Sequence, residues 1–280
     1  MREATRPEAL LTAEVTTWPT GSSGVVVVDA TGEVARAGDV DAPREWASVT
    51  KVLTALTVLQ AARTGSVDLD EPAGPTGSTV RHLLAHASGL SVDSDRTLAA
   101  PGERRIYSNR GYEVVAEHLA ERCGRPFAEL LREWVLEPVG LASTTLEGSP
   151  AHGARGPVSD LGRLAGALLV PSALPADVVA AASTVAYPGL AGVLPGFGKQ
   201  VPNDWGLGCE LRDGKSPHWT SPRNTAATFG HFGQSGSFVW VDPGAGLGCA
   251  SAGDTAFGPW AAEAWPRLST VVLDHLRRSS

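Results

Sequence analysis

The sequence predicts an α+β fold: an antiparallel sheet flanked by N- and C-terminal helices, with a mostly helical region inserted between its strands. Three observations predict it. β-Branched or alternating apolar runs lie near both ends of the 280-residue chain. Helical periodicity dominates the middle, and Pro/Gly-rich loops separate the segments. On this reading residues 1–65 and 200–280 form one discontinuous sheet domain and residues 66–199 a helical domain, with an active site between them.

Taken in order, Gly24-Val25-Val26-Val27-Val28-Asp29 reads as a strand, Ala30-Thr31-Gly32 as a turn, and Glu33–Ala37 as the partner strand. From Val49 to Ala62 the apolar residues Val52, Leu53, Leu56 and Leu59 keep helical spacing, and Gly65 supplies the stop. This helix carries few charges and is expected to be buried on most sides. Further helices are predicted over Val80–Ala87, Tyr112–Arg122, Phe127–Leu136 and Ser159–Leu169. Strands return over Trp205–Leu211, Gly236–Val241 and Leu247–Ser251, and a helix over Pro259–Arg277 closes the fold.

Composition excludes several classes. With 42% hydrophobic and 19% charged residues the chain is that of a globular protein. A net charge of −7 without a basic stripe argues against nucleic acid or a membrane surface as partner. The short cluster Arg104-Arg105 with Arg110 reads as solvated surface. No stretch approaches the roughly 18 to 20 apolar residues of a membrane span. The start Met1-Arg2-Glu3-Ala4 carries no apolar signal region, and Cys123, Cys209 and Cys249 are too few and too scattered for a disulfide framework. A cytoplasmic address is expected, and the sequence is silent on oligomeric state. His82 and His86 have a ligand-like spacing but no third partner, so no metal or cofactor is expected. No GxSxG, GxGxxG or Walker A sequence occurs.

Three short motifs carry chemistry. Ser48-Val49-Thr50-Lys51 puts a hydroxyl and an amine on one face at the start of a buried helix. A serine needs a base to become a nucleophile, and a desolvated lysine amine serves as one near neutral pH. With only three lysines in the chain (Lys51, Lys199, Lys215), chance would still produce an SxxK in roughly a quarter of such sequences. In Tyr107-Ser108-Asn109 the phenol can relay a proton and the amide can hold a carbonyl, although Asn109 also reads as a plain cap for a helix near Gly111. Gly230-His231-Phe232-Gly233-Gln234 lets a backbone edge approach an acyl group, half of an oxyanion hole, and reads equally as a Gly-rich hairpin with an exposed histidine.

In this order, Ser-x-x-Lys, Tyr-x-Asn and [Lys/His]-x-Gly resemble the signature of penicillin-recognising serine hydrolases. The chain is most similar to the branch of class C β-lactamases, D-amino-acid peptidases and carboxylesterases. Leu83-Leu84-Ala85-His86-Ala87-Ser88-Gly89-Leu90 and Trp205-Gly206-Leu207-Gly208 add to the resemblance. It implies a β-lactamase/transpeptidase-like fold, Ser48 as acylated nucleophile, Lys51 as its base and Tyr107 as proton-transfer partner. It further implies Asn109 as a substrate-binding residue, and the N–H groups of Ser48 and Gln234 as the oxyanion hole beside His231 and Gly233. His231-Phe232-Gly233 stands where β-lactamases usually carry Lys-Thr-Gly, which shifts the expected substrate from a carboxylate-bearing β-lactam to a small neutral ester or amide. Alternatives with the same chemistry are a β-lactamase or a D-amino-acid peptidase; the alternative of another class is a non-catalytic binding or scaffold member.

Overall fold

The computed structural model describes residues 7–276. The stretch before Pro7, where a signal region was sought, and Arg277, the expected end of the last helix, lie outside the described residues.

The two ends of the chain share one sheet. Its strands run in the order Gly32–Gly38, Ser23–Asp29, Leu247–Gly253, Ser237–Asp242, Phe229–Gly233 and Glu210–Leu211, all antiparallel. The valine run explains why the centre is sealed. Side chains alternate between faces, so Val25 and Val27 join Phe238, Trp240 and Cys249 in one core, while Val26 and Val28 join Val239, Val241 and Ala250 in the other. Helices Pro7–Val15 and Pro259–Leu276 contribute Leu11, Val15, Trp265, Leu268 and Val272 to the first core. Helix Val158–Leu169 packs on the opposite face, and the core there continues without a break into the inserted helices.

Within the insertion, helix Asn109–Cys123 begins three residues earlier than the periodicity suggests, because Ser108 caps it through Gly111 N–H at 2.9 Å. The Phe127–Leu136 stretch is an α-turn followed by a wider π-turn over Arg132–Leu136. An N-terminal helix is present over Pro7–Val15, and a further helix over Ala176–Ser183 lies in a stretch for which the sequence reading assigns none. The helix expected over residues 49–62 spans Thr50–Arg63, and 11 of its 14 residues are buried, which fits its sparse charge.

Two expectations need correction. Trp205–Leu211 is not a continuous strand: only Glu210–Leu211 pairs in the sheet, and Trp205 makes isolated bridges. Gly208 sits at φ +109°, and a Cβ there would lie 2.2 Å from Ala55 Cβ on helix Thr50–Arg63. The glycines bend the chain onto that helix instead of extending it. Arg105 is likewise not solvated surface. It is buried, and its guanidinium donates to the carbonyls of Asn203, Ala186 and Tyr187 at 2.9 to 3.1 Å, and to that of Ala85.

Gly208→Ala should destabilise the protein by about 2–4 kcal/mol, since it adds both backbone strain and an overpacked contact. Urea unfolding measures it; a change below about 0.5 kcal/mol would show that the turn is not wedged against the helix.

Candidate active site

Ser48 lies in a tight turn, Ala47–Val49, that leads into helix Thr50–Arg63. The turn is held from several sides. Trp46 is fully buried; its N–H donates to Ala154 O at 2.9 Å and its indole N–H to Gly156 O at 3.0 Å. From the sheet, Ser237 Oγ donates to Trp46 O at 2.8 Å and Ser235 Oγ to Glu45 O at 2.7 Å. Ala47 is thereby kept at φ +42°, a conformation non-glycine residues seldom adopt. Gly233 makes this approach possible: a Cβ on it would lie 2.4 Å from Trp46 O.

Lys51, one helical turn on, is fully buried, and among the described residues its amine has no carboxylate partner. Nζ lies 2.6 Å from Asn109 Oδ1, 2.9 Å from Ala151 O and 3.2 Å from Ser48 Oγ. Burial pushes its pKa from 10.5 down to about 7, with Asp93 and Glu113 pulling partly back. The neutral amine has two N–H bonds, which the two shorter contacts occupy. Its lone pair is then left facing the Ser48 hydroxyl.

Tyr107 hydrogen-bonds Ser48, and its ring passes 4.8 Å from Lys51 Nζ. Burial raises the phenol pKa despite that hydrogen bond, so the group keeps its proton at neutral pH. Asn109 opens helix Asn109–Cys123 and does not cap it. Its Nδ2 donates to Asp93 Oδ1 at 2.7 Å, which fixes the amide with Oδ1 toward Lys51.

The strand Phe229–Gly233 forms the opposite wall. Its short neighbour pairs only with Phe229 and Gly230, so the edge from His231 to Gly233 is open. His231 is buried, contrary to the exposed-hairpin alternative. Its Nδ1 donates to Phe232 O at 2.7 Å, and Nε2 has no partner among the described residues. Burial, with the Lys51 charge, lowers its pKa to about 3, so the ring is neutral. Gln234 follows the strand, its carbonyl and side chain tied to Phe257. Ser48 N–H belongs to the single turn Ala47–Val49 that leads into helix Thr50–Arg63, where opening amide donors lack intrahelical partners.

Ser48, Tyr107, Asn109, His231, Phe232 and Gln234 line one cavity of about 830 Å3; Lys51 contacts its wall at Ser48 and Gly233 joins two of its lining residues. Comparison with known proteins decides the lineage. The family model described as Beta-lactamase matches residues 21–268.

The chain belongs to the β-lactamase family.

A solved β-lactamase from Mycobacterium bovis is 48% identical, with a TM-score of 0.93 over 96% of this chain and 100% of that one. Simvastatin synthase from Aspergillus terreus shares the fold at 16% identity, TM-score 0.77, over 99% of this chain and 100% of its own. The D-alanyl-D-alanine-carboxypeptidase/endopeptidase AmpH of Escherichia coli K12 is 26% identical over 141 residues, and the match takes in only 37% of its own length.

Several members of this β-lactamase-family site escaped sequence reasoning. Asp93 orients Asn109 from a loop with no motif, and Ala151 gives Lys51 only a main-chain oxygen, which no sequence pattern marks. Glu210 lines the cavity and accepts from His218 at 2.8 Å, Trp219 at 3.0 Å and Lys215. Against the upward push of burial, His218 and Lys215 hold its pKa down to about 2. His86 holds the chain before helix Asn109–Cys123: its Nδ1 accepts from Ser108 N–H at 3.1 Å. Among the described residues no cluster of three or more His, Cys, Asp or Glu could hold a metal ion, and no helix is long and apolar enough to cross a membrane.

The Lys51 pKa has a stability consequence of definite sign. Between about pH 7 and 10.5 the unfolded chain binds this proton and the folded one does not, so the penalty is largest at and below pH 7 and fades toward pH 10.5. The stability of Lys51→Met relative to the parent should therefore fall by up to about 1.4 kcal/mol per pH unit across that window. Urea unfolding at pH 7, 8 and 9 reads the slope; a pH-independent difference would mean that Lys51 stays charged in the fold.

Proposed function

We propose that the chain is a serine hydrolase that forms an acyl-enzyme on Ser48 and cleaves small esters or amides. The observation that carries this reading is the contact between Ser48 Oγ and the desolvated Lys51 amine at 3.2 Å. A neutral amine there takes the hydroxyl proton as Oγ bonds to the substrate carbonyl carbon. The carbonyl oxygen becomes an oxyanion facing the N–H groups of Ser48 and Gln234. The leaving group departs with a proton passed from Lys51 through the Tyr107 phenol. Water then gives a proton back along the same route and attacks the acyl carbon. The acid is released and Ser48 regains its hydrogen. Asn109, held by Asp93, keeps Lys51 in place and faces the substrate from the helix side.

The neutral His231 and apolar Phe232 favour an uncharged group beside the reacting carbonyl. A permanent cation and a hydroxyl suited to a β-lactam carboxylate are absent at those two positions. The likeness to the M. bovis β-lactamase favours β-lactam hydrolysis as the second reading.

A fluorophosphonate should label Ser48, as read by mass spectrometry, and a fluorescent penicillin should not. Labelling by penicillin would shift the reading to a β-lactamase or a peptidase, and labelling by neither would favour a non-catalytic binding member. The fluorophosphonate rate should follow one ionisation near pH 7, falling tenfold per pH unit below it. A rate independent of pH from 5 to 9 would remove Lys51 as base.

A further inference from the structure

One wall of the cavity is built from three short segments. Arg105 bridges to Gly192, with Arg105 N–H donating to Ala191 O at 2.9 Å. The hairpin Gly192–Leu194 with Gly198–Gln200 pairs Gly192 with Gln200 and Val193 with Lys199. Paired residues share a face and successive residues alternate. Arg105 and Gln200 accordingly turn inward and are buried. Arg104, Ile106, Val193 and Lys199 alternate with them onto the other face; these four line the cavity, as do Arg105, Gly192 and Leu194.

This face is apolar in part and cationic in part. Val193 is 60% exposed, and across the mouth Val92 and Leu98 are 44% and 39% exposed. Neither Arg104 nor Lys199 has a carboxylate partner among the described residues; Arg104 donates to Leu98 O at 2.9 Å. The acids nearby are committed elsewhere. Glu103 folds back on Ala100 N–H at 3.0 Å, Asp93 holds Asn109, and Glu210 is tied to Lys215 and His218. In a chain of net charge −7, two unpaired cations beside exposed apolar surface at the mouth of a cavity are complementary to an amphipathic anion.

Resting on the hydrolase reading above, we propose that the substrate carries a carboxylate remote from the scissile bond, held by Arg104 and Lys199, with an apolar segment against Ile106 and Val193. The end that reacts is uncharged and lies by His231; the anion lies at the mouth. The substrate class is thus an ester or amide of a medium-length dicarboxylic acid, or another acyl chain ending in an anion.

The test compares mono-p-nitrophenyl esters of six-, eight- and ten-carbon dicarboxylic acids with p-nitrophenyl esters of the straight-chain acids of equal length. Turnover and Ser48 acylation by mass spectrometry are both read. For at least one length the anionic ester should be preferred about tenfold or more in kcat/KM, chiefly through KM. The preference should shrink in 0.5 M salt. It should be lost in the double variant Arg104→Gln/Lys199→Gln and partly kept in Arg104→Lys. Acylation of Ser48 by the neutral esters with no preference for the anionic ones at any length would overturn the proposal, as would a preference unchanged in the double variant. If neither series acylates Ser48 and the fluorophosphonate also leaves it unlabelled, the hydrolase reading fails and this proposal falls with it.

Discussion

A lysine amine buried without a carboxylate in contact is the constraint on which the rest of the site depends. Burial takes Lys51 to about pKa 7, and that single displacement makes it a proton acceptor at neutral pH and a destabilising group in the fold. The surroundings supply what an ion pair would otherwise give. Asn109 and Ala151 accept the amine's two N–H bonds, and the rings of Tyr107 and Tyr112 lie 4.8 and 5.6 Å from Nζ. Asp93 acts one step further out, through the Asn109 amide.

The turn that presents Ser48 is rigid for a related reason. Its backbone takes an uncommon conformation at Ala47, and side-chain hydroxyls from the sheet and main-chain groups from the insertion both fasten it. On the proposed reading of Ser48 as nucleophile, a hydroxyl set in this way loses little freedom when a substrate arrives. The open edge of Phe229–Gly233 completes the site, because one short strand leaves His231 to Gly233 unpaired beside the turn.

Much of this was legible in the sequence. The i, i+3 spacing of Ser48 and Lys51 and the scarcity of charge along their helix predicted a buried amine beside a hydroxyl. The valine run and the apolar strands after residue 236 predicted that the chain ends share a sheet. What stayed hidden is carried by the backbone or by tertiary context. The Ala151 carbonyl has no sequence signature, and the burial of Arg105 depends on four carbonyls contributed by three separate stretches of chain. Trp205–Leu211 looked like a strand because its apolar residues alternate with glycines; the same glycines allow a tight turn against Ala55. That Arg104 and Lys199 line one cavity was equally unreadable, since the Arg105–Gly192 bridge and the hairpin beyond it join their two distant stretches of chain.

The most direct measurement is the ionisation of Lys51 itself. The chain has only three lysines, so NMR of selectively labelled lysine side chains gives at most three signals to follow with pH. The signal missing from Lys51→Met is expected to titrate near pH 7. Titration of that signal near 10.5, as for a solvated amine, would contradict it.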